Sequence, residues 1–172
     1  MKRKVIVASI ILICLLLQNA VFPSFAFASI TPNLMIVVAS AFGFMRGQRE
    51  GLWTGFFCGL CVDIFSGGML GFYALLYMYI GFTNGYFHKL FYPEDIKLPM
   101  LLIAGSDLLY NLAVYFFMFF FRGKFHMLFY LKNIILPELV YTMLVTIVLY
   151  VVILKINQRL ELVEKRSAKK FV

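Results

Sequence analysis

Three carboxylates, Asp63, Asp107 and Glu138, lie inside apolar stretches of this 172-residue chain. Asp107 is followed at three and four residues by Tyr110 and Asn111. Glu138 is followed in the same way by Tyr141 and Thr142, and Asp63 by Ser66 and Gly67. On a helix these offsets share one face, so a carboxyl group sits beside a hydroxyl or an amide. Acids are costly in a bilayer and face a protein interior, a cavity or a partner. No Lys or Arg lies within the same stretches. The acids must therefore be satisfied by protonation, by Tyr, Asn or Thr hydrogen bonds, or by a donor from a partner. The plainest role is a polar layer that fixes helix rotation. A proton path or a small-solute site would be the chemical alternatives, but no entry route for protons is visible, so the layer is preferred.

Other chemistry is weakly supported. Cys58-Gly-Leu-Cys61 has CxxC spacing without a second pair, which suits core packing better than metal or redox work. His88 and His126 fall in loops on opposite sides of the expected membrane and cannot share a metal. No phosphate loop and no Ser–His nucleophile arrangement is recognisable. No cofactor is expected.

The elements that position these residues follow from composition. The chain is 63% apolar and 14% charged, against about 45–50% and about 25% in soluble domains. Mean hydropathy is +0.91. Such a chain cannot cover a soluble surface with polar groups, which argues against a soluble enzyme. Its length leaves no room for a separate catalytic domain. A bilayer core needs about 20 helical residues, and six segments qualify as spans: 5–22, 32–47, 51–66, 70–87, 98–121 and 133–155. The expected fold is an all-α membrane domain over 1–172, with a basic tail at 156–172 that could extend the last helix or anchor on anionic lipid. The second span is short and must reach the interface, thin the bilayer or be shielded by neighbours. Thr31 is expected to cap it, with Pro32 at its first helical position. Counted from the inner edge, Asp107 lies about 14 Å deep, Asp63 about 18 Å and Glu138 about 22 Å, close enough to converge on one layer.

The 16 basic residues orient the spans. With the N-terminus inside and six crossings, all but Arg122, Lys124 and Lys132 are cytoplasmic, as the positive-inside rule requires. The basic excess therefore reflects topology and not nucleic acid. Lys2-Arg3-Lys4, an apolar run and Ala26-Phe27-Ala28 also have the layout of a cleaved signal sequence. The long apolar run and Pro23 favour retention. Trp53 suits an interface anchor.

Glycines recur every four residues at Gly43, Gly47, Gly51, Gly55 and Gly59, and again at Gly67 and Gly71. On one helix face they let another helix approach closely. Packing within the chain is the first expectation for Gly51, Gly55, Gly59, Gly67 and Gly71, and packing against another protein the second.

Several pieces together resemble a known family. Thr31-Pro32-Asn33-Leu34, Arg46-Gly47-Gln48-Arg49-Glu50-Gly51, Gly55, Val62-Asp63-Ile64-Phe65-Ser66-Gly67-Gly68, Leu70-Gly71-Phe72-Tyr73-Ala74-Leu75 and Leu136-Pro137-Glu138-Leu139 are similar to the MreD rod shape-determining family, in order and spacing. Asn33 stands where an acid is often found. The resemblance implies a non-enzymatic component of the bacterial inner membrane that acts in cell elongation. MreC is implied as its direct partner, and MreB, a RodA-type glycosyltransferase and a class B penicillin-binding protein as members of the complex. It also implies a fold similar to the six-helix substrate-binding subunits of energy-coupling-factor transporters. Arg46, Arg49 and Glu50 form the family-like cytoplasmic loop. Arg46, Glu50, Gly51, Gly55, Asp63, Gly67, Gly71, Pro137 and Glu138 match motif positions as fold-defining residues. The competing expectation is a solute- or vitamin-binding transporter subunit. The first span lacks the small-xxx-small pattern such subunits use for docking, since Ala8 is followed at four by Leu12 and Ser9 by Ile13. A membrane enzyme acting on lipid-linked substrates would need bases beside the acids, and the spans supply none.

Overall fold

In a computed structural model of the chain, residues 2–25, 30–67, 70–92, 96–118 and 127–169 are described. They form helices, with no strand among them. Helix α1 (Lys2–Leu16) runs on through a π-helical turn (Leu17–Val21) into a 3-10 turn (Phe22–Phe25). Helix α2 is Leu34–Arg46, α3 is Gln48–Ser66, and α4 is Phe72–Tyr86, followed by the 3-10 turn Phe87–Leu90. Helix α5 is Lys97–Met118. Helix α6 (Met127–Tyr130) continues through the π-helical turn Leu131–Ile135 into α7 (Leu136–Lys169), with helical backbone angles at both junctions. Among the described residues three helices are long and apolar enough to cross a membrane: Arg3–Ser24, Lys97–Phe117 and Leu131–Glu164. The 34 residues of α7 extend about 51 Å, well past a core of about 30 Å, so the tail continues the last helix. The Ala26-Phe27-Ala28 site, the end of the fifth span at 119–121, Arg122, Lys124, His126 and Lys170 lie outside the described residues.

The short second helix is the centre of the bundle. Every residue from Leu34 to Met45 is buried, and α2 packs against α1, α3, α4, α5 and α7. A helix apolar all round belongs inside a core, and this one is 13 residues, or about 20 Å, long. Its neighbours shield it on every side. Its start corrects the expected cap. Asn33, not Thr31, is the N-cap, its side chain accepting from the Ile36 N–H at 3.3 Å, and Pro32 stands before the cap instead of inside the helix. Gln18 Oε1 accepts from the Leu34 and Met35 N–H groups at 3.0 and 3.4 Å, and Thr142 Oγ1 accepts the Asn33 N–H at 3.1 Å. The first-turn donors of a helix have no intrahelical acceptor. Inside a bilayer other side chains must supply one, and here they come from α7 and the π-helical turn after α1. At the other end His88 Nδ1 lies 2.9 Å from the Phe44 carbonyl. Gly47, at φ 93°, then breaks the chain direction, and α3 starts at the next residue.

Helices α2, α3 and α4 meet backbone to backbone. A Cβ on Gly43 or Gly51 would overlap the Gly81 carbonyl oxygen, and one on Gly81 would overlap the Gly51 carbonyl oxygen. Along the α3–α4 seam a Cβ on Gly55 would overlap the Tyr77 carbonyl oxygen, and one on Gly59 the Tyr73 carbonyl oxygen. The Gly51–Gly55–Gly59 ridge is therefore covered by α4 of the same chain. Gly67 and Gly71 are not part of it. No heavy atom lies within 4 Å of their Cβ positions. They sit at φ 62° and 99°, where only glycine is unstrained, and they turn the chain from α3 into α4.

Candidate functional site

Polar side chains from four helices collect around the head of α2. Tyr77 of α4, fully buried, donates to Asn33 Oδ1 at 2.8 Å. Tyr77 also hydrogen-bonds Tyr110 of α5, and the two rings lie 5.1 Å apart. A phenol has one O–H to give. Tyr77 gives its own to Asn33. Thr142 of α7 takes the Asn33 N–H. Beside this chain of bonds stand Asp107 and Asn111 of α5 and Glu138 of α7. Asn111 hydrogen-bonds Glu138, and its Nδ2 donates to the Asp107 backbone carbonyl at 3.1 Å. Asp107 is 0% exposed, and neither of its carboxyl oxygens has a hydrogen-bond partner among the described residues.

The expected layer of three acids is thus a layer of two. Asp63 does not join it. Its carboxylate accepts from the Gly71, Tyr73 and Ala74 backbone N–H groups at 2.9, 3.0 and 3.0 Å. It is a cap for the next helix, placed where three donors and the positive end of the α4 dipole converge. Burial at 1% exposure is met by those donors instead of by Ser66, which is exposed. Tyr141 also departs from the expected cluster: its ring meets Phe22 of the 3-10 turn after α1 edge-on at 5.8 Å. Chemically, the arrangement is a run of hydrogen bonds between helices. Tyr110, Tyr77, Asn33 and Thr142 tie α5, α4, α2 and α7 in one register. Substituting Asn33 tests this. Asn33→Asp keeps the acceptor for both Tyr77 and the Ile36 N–H and is expected to shift detergent-solution stability by less than about 1 kcal/mol. Asn33→Leu leaves both donors unpaired and is expected to cost about 2–4 kcal/mol. Thermal unfolding of the two purified variants reads the difference.

At the opposite end of α2 the family-like loop enters an ionic clasp. Arg46 pairs with Glu161 and Glu164 at 3.0 Å each, and Arg3 with Glu50 at 3.0 Å and Glu164 at 3.5 Å. The clasp joins α1, α2, α3 and α7. Glu164 lies beyond the bilayer-length part of α7. Burial is the largest single influence and opposes its charge, but the hydrogen bonds and charges of Arg46 and Arg3 together outweigh it and hold the carboxyl below its ordinary range. Arg49 is exposed. Between these two ends Asn84 Nδ2 reaches Ser40 at 3.3 Å and Ser106 at 2.7 Å, linking α4 to α2 and α5. Cys14, Cys58 and Cys61 are unpaired thiols. No group of three or more His, Cys, Asp or Glu side chains suited to a metal occurs among the described residues.

Sequence reasoning missed several of these partners. Gly81 and Gly85 repeat at four residues on α4, which was a readable signal for the facing side of the ridge. Glu161 and Glu164 are three apart and so share a helix face, but nothing local ties them to Arg46. Gln18 carried no signal, because a π-helical turn shifts the side-chain register there.

The family model described as rod shape-determining protein MreD matches residues 2–160. No curated protein and no solved structure matches.

Proposed function

We propose that this chain, which belongs to the MreD family of rod shape-determining proteins, is a non-enzymatic scaffold of the cell-elongation machinery in the bacterial inner membrane. Its part in rod-shape determination follows from family membership. The finer reading is that it binds MreC and, with MreB, a RodA-type glycosyltransferase and a class B penicillin-binding protein, helps organise lateral peptidoglycan synthesis. The observation that carries this reading is the family match over nearly the whole chain. The manner in which the polar residues are used agrees with it. Asp63 caps a helix, Asn33, Tyr77, Tyr110 and Thr142 lock rotation, and Arg46 and Glu50 clasp helix ends. These are roles in holding a shape.

On this reading the chain crosses the membrane six times with both termini in the cytoplasm, supported by the basic residues at the clasp end. The overall plan is that of the energy-coupling-factor substrate-binding subunits. The partner then docks on outward faces. The glycine ridge is covered by α4, whereas Trp53 and Phe57, with rings 6.2 Å apart, stay half-exposed on α3. Docking there proceeds by close packing and interhelical hydrogen bonds, each worth about 0.6–2 kcal/mol. Depleting the protein in a rod-shaped host tests the function. Cells are expected to widen and round, and expression of the chain to restore rods. Unaltered rods after depletion would refute it.

A further inference from the structure

The last turns of α7 sort their charges onto two opposite faces. On the outward face Leu144, Val148 and Val152 are exposed and apolar. The same face then turns basic at Lys155 and Arg159, both exposed. Steps of three and four residues carry it on through Leu162, which is 57% exposed, to Arg166 and Lys169 on the continuing helix. The change from apolar to basic marks the end of the bilayer-length part. Both acids of this segment lie on the other side. Asn157 and Leu160 are buried against the bundle, and Glu161 and Glu164 share their half of the helix, held by Arg46 and Arg3. At about 100° per residue the two sets fall on opposite sides. Lys155 and Arg159 have no hydrogen bond or ion pair among the described residues.

The height of this basic stripe decides what can cover it. A headgroup layer extends about 5–8 Å past the hydrocarbon core. Leu162 lies about 10 Å, Arg166 about 16 Å and Lys169 about 21 Å beyond Lys155 along the helix. Lipid phosphates therefore reach only the first two cations. The helix is kept from lying down on the surface, because the clasp holds it to α1 and α2 as far as Glu164. No Gly or Pro interrupts 139–169. A second copy does not fit either. Stripe against stripe would oppose like charges, and the acids of α7 are engaged in the clasp. A helix with acids in the same steps fits along the whole stripe. We infer that this face docks an acidic helix of a cytoplasmic protein, its carboxylates opposite Lys155, Arg159, Arg166 and Lys169. An apolar side chain at its centre covers Leu162, which otherwise stands in water. The inference rests on the scaffold reading in placing the C-terminus in the cytoplasm.

Binding of a synthetic peptide to the purified full chain in phosphatidylcholine nanodiscs tests this. The probe is helical, with two glutamates, a leucine and two glutamates placed in the steps of the stripe. An isomer of the same composition spreads the acids round the helix. The ordered peptide is expected to bind at least about tenfold tighter, as several exposed ion pairs acting together allow. In the double variant Arg159→Gln, Arg166→Gln that difference is expected to vanish. A water-soluble maleimide is expected to label Leu162→Cys equally fast in phosphatidylcholine and phosphatidylglycerol discs. Equal binding of the two peptides, or an unchanged difference in the double variant, would overturn the inference. So would protection of Leu162→Cys by phosphatidylglycerol alone, which would give the face to lipid. In cells depleted of the native protein, Arg159→Glu, Arg166→Glu is expected to reach wild-type abundance and leave cells round, where the wild-type chain restores rods. Rods restored by that variant would also overturn it. Failure of the wild-type chain in the same cells would contradict the scaffold reading, on which the peptide measurements do not depend.

Discussion

Replacing Gly55 by leucine is expected to cost about 3 kcal/mol or more and to abolish the monodisperse folded protein in detergent. The reason is local. A Cβ at this position already overlaps the Tyr77 carbonyl oxygen and lies 2.7 Å from the carbonyl carbon. Both obstacles are backbone, so no rotamer change relieves them. Helices α3 and α4 would have to separate along their whole seam, exposing Gly51, Gly59 and Gly81 as well. Overpacking a well-filled core usually costs about 1–3 kcal/mol, and a clash against main chain belongs at the upper end. Gly55→Ala is expected to show a smaller loss in the same direction. Gly105→Ala is the control: no heavy atom lies within 4 Å of its Cβ position, and alanine is the better helix former by about 1 kcal/mol. Thermal unfolding followed by size-exclusion chromatography separates the three. Wild-type behaviour of Gly55→Leu would contradict the close contact of α3 and α4. The same contact makes this glycine a poor probe of partner binding, because its loss removes the fold first.

Asp63→Leu is expected to be comparably severe, at about 3–5 kcal/mol. It removes an acceptor from three backbone N–H groups at once, and hydrogen bonds to a charged group are worth about 1.5–3 kcal/mol each. The Ala74 donor stays buried at the head of α4, while the Gly71 and Tyr73 donors are part-buried. Asp63→Asn keeps one carbonyl oxygen and should lose about half as much. Unfolding midpoints in a single detergent give the order wild type, Asn, Leu. Equal midpoints for Leu and wild type would show that α4 does not depend on this cap.

Both residues illustrate what could be read in advance. The four-residue glycine spacing placed Gly51, Gly55 and Gly59 on one face of α3, because a helix repeats every 3.6 residues and small side chains leave a visible groove. Which helix filled the groove depended on the Gly67–Gly71 turn, whose positive φ angles bring α4 straight back. Asp63 was read with its neighbours at three and four residues, the offsets that matter within one helix. Its real donors stand eight, ten and eleven residues away, an interval with meaning only once the turn has formed. Asp107 and Asn111 of α5 and Glu138 of α7 stand near one another, with Asn111 hydrogen-bonded to Glu138. Tyr141 packs instead against Phe22, its ring edge-on at 5.8 Å.

The central short helix was legible as an anomaly but not as a solution. A 13-residue apolar segment in a membrane chain needs an explanation, and three were open. The structure answers with other side chains at each end: Gln18 and Thr142 at one, His88 and the Arg46 clasp at the other. Arg46 and Glu161 lie 115 residues apart, so no periodicity within a segment could have joined them.

Co-purification of the tagged full chain with MreC, after crosslinking in the membranes of a rod-shaped host, tests the central claim most directly. The scaffold reading predicts MreC in the eluate in near-equal amount, with crosslinks to outward faces such as Trp53 and Phe57 and none to the covered glycine ridge. A folded chain that elutes without MreC, under conditions where MreC is abundant in the same membranes, would contradict it.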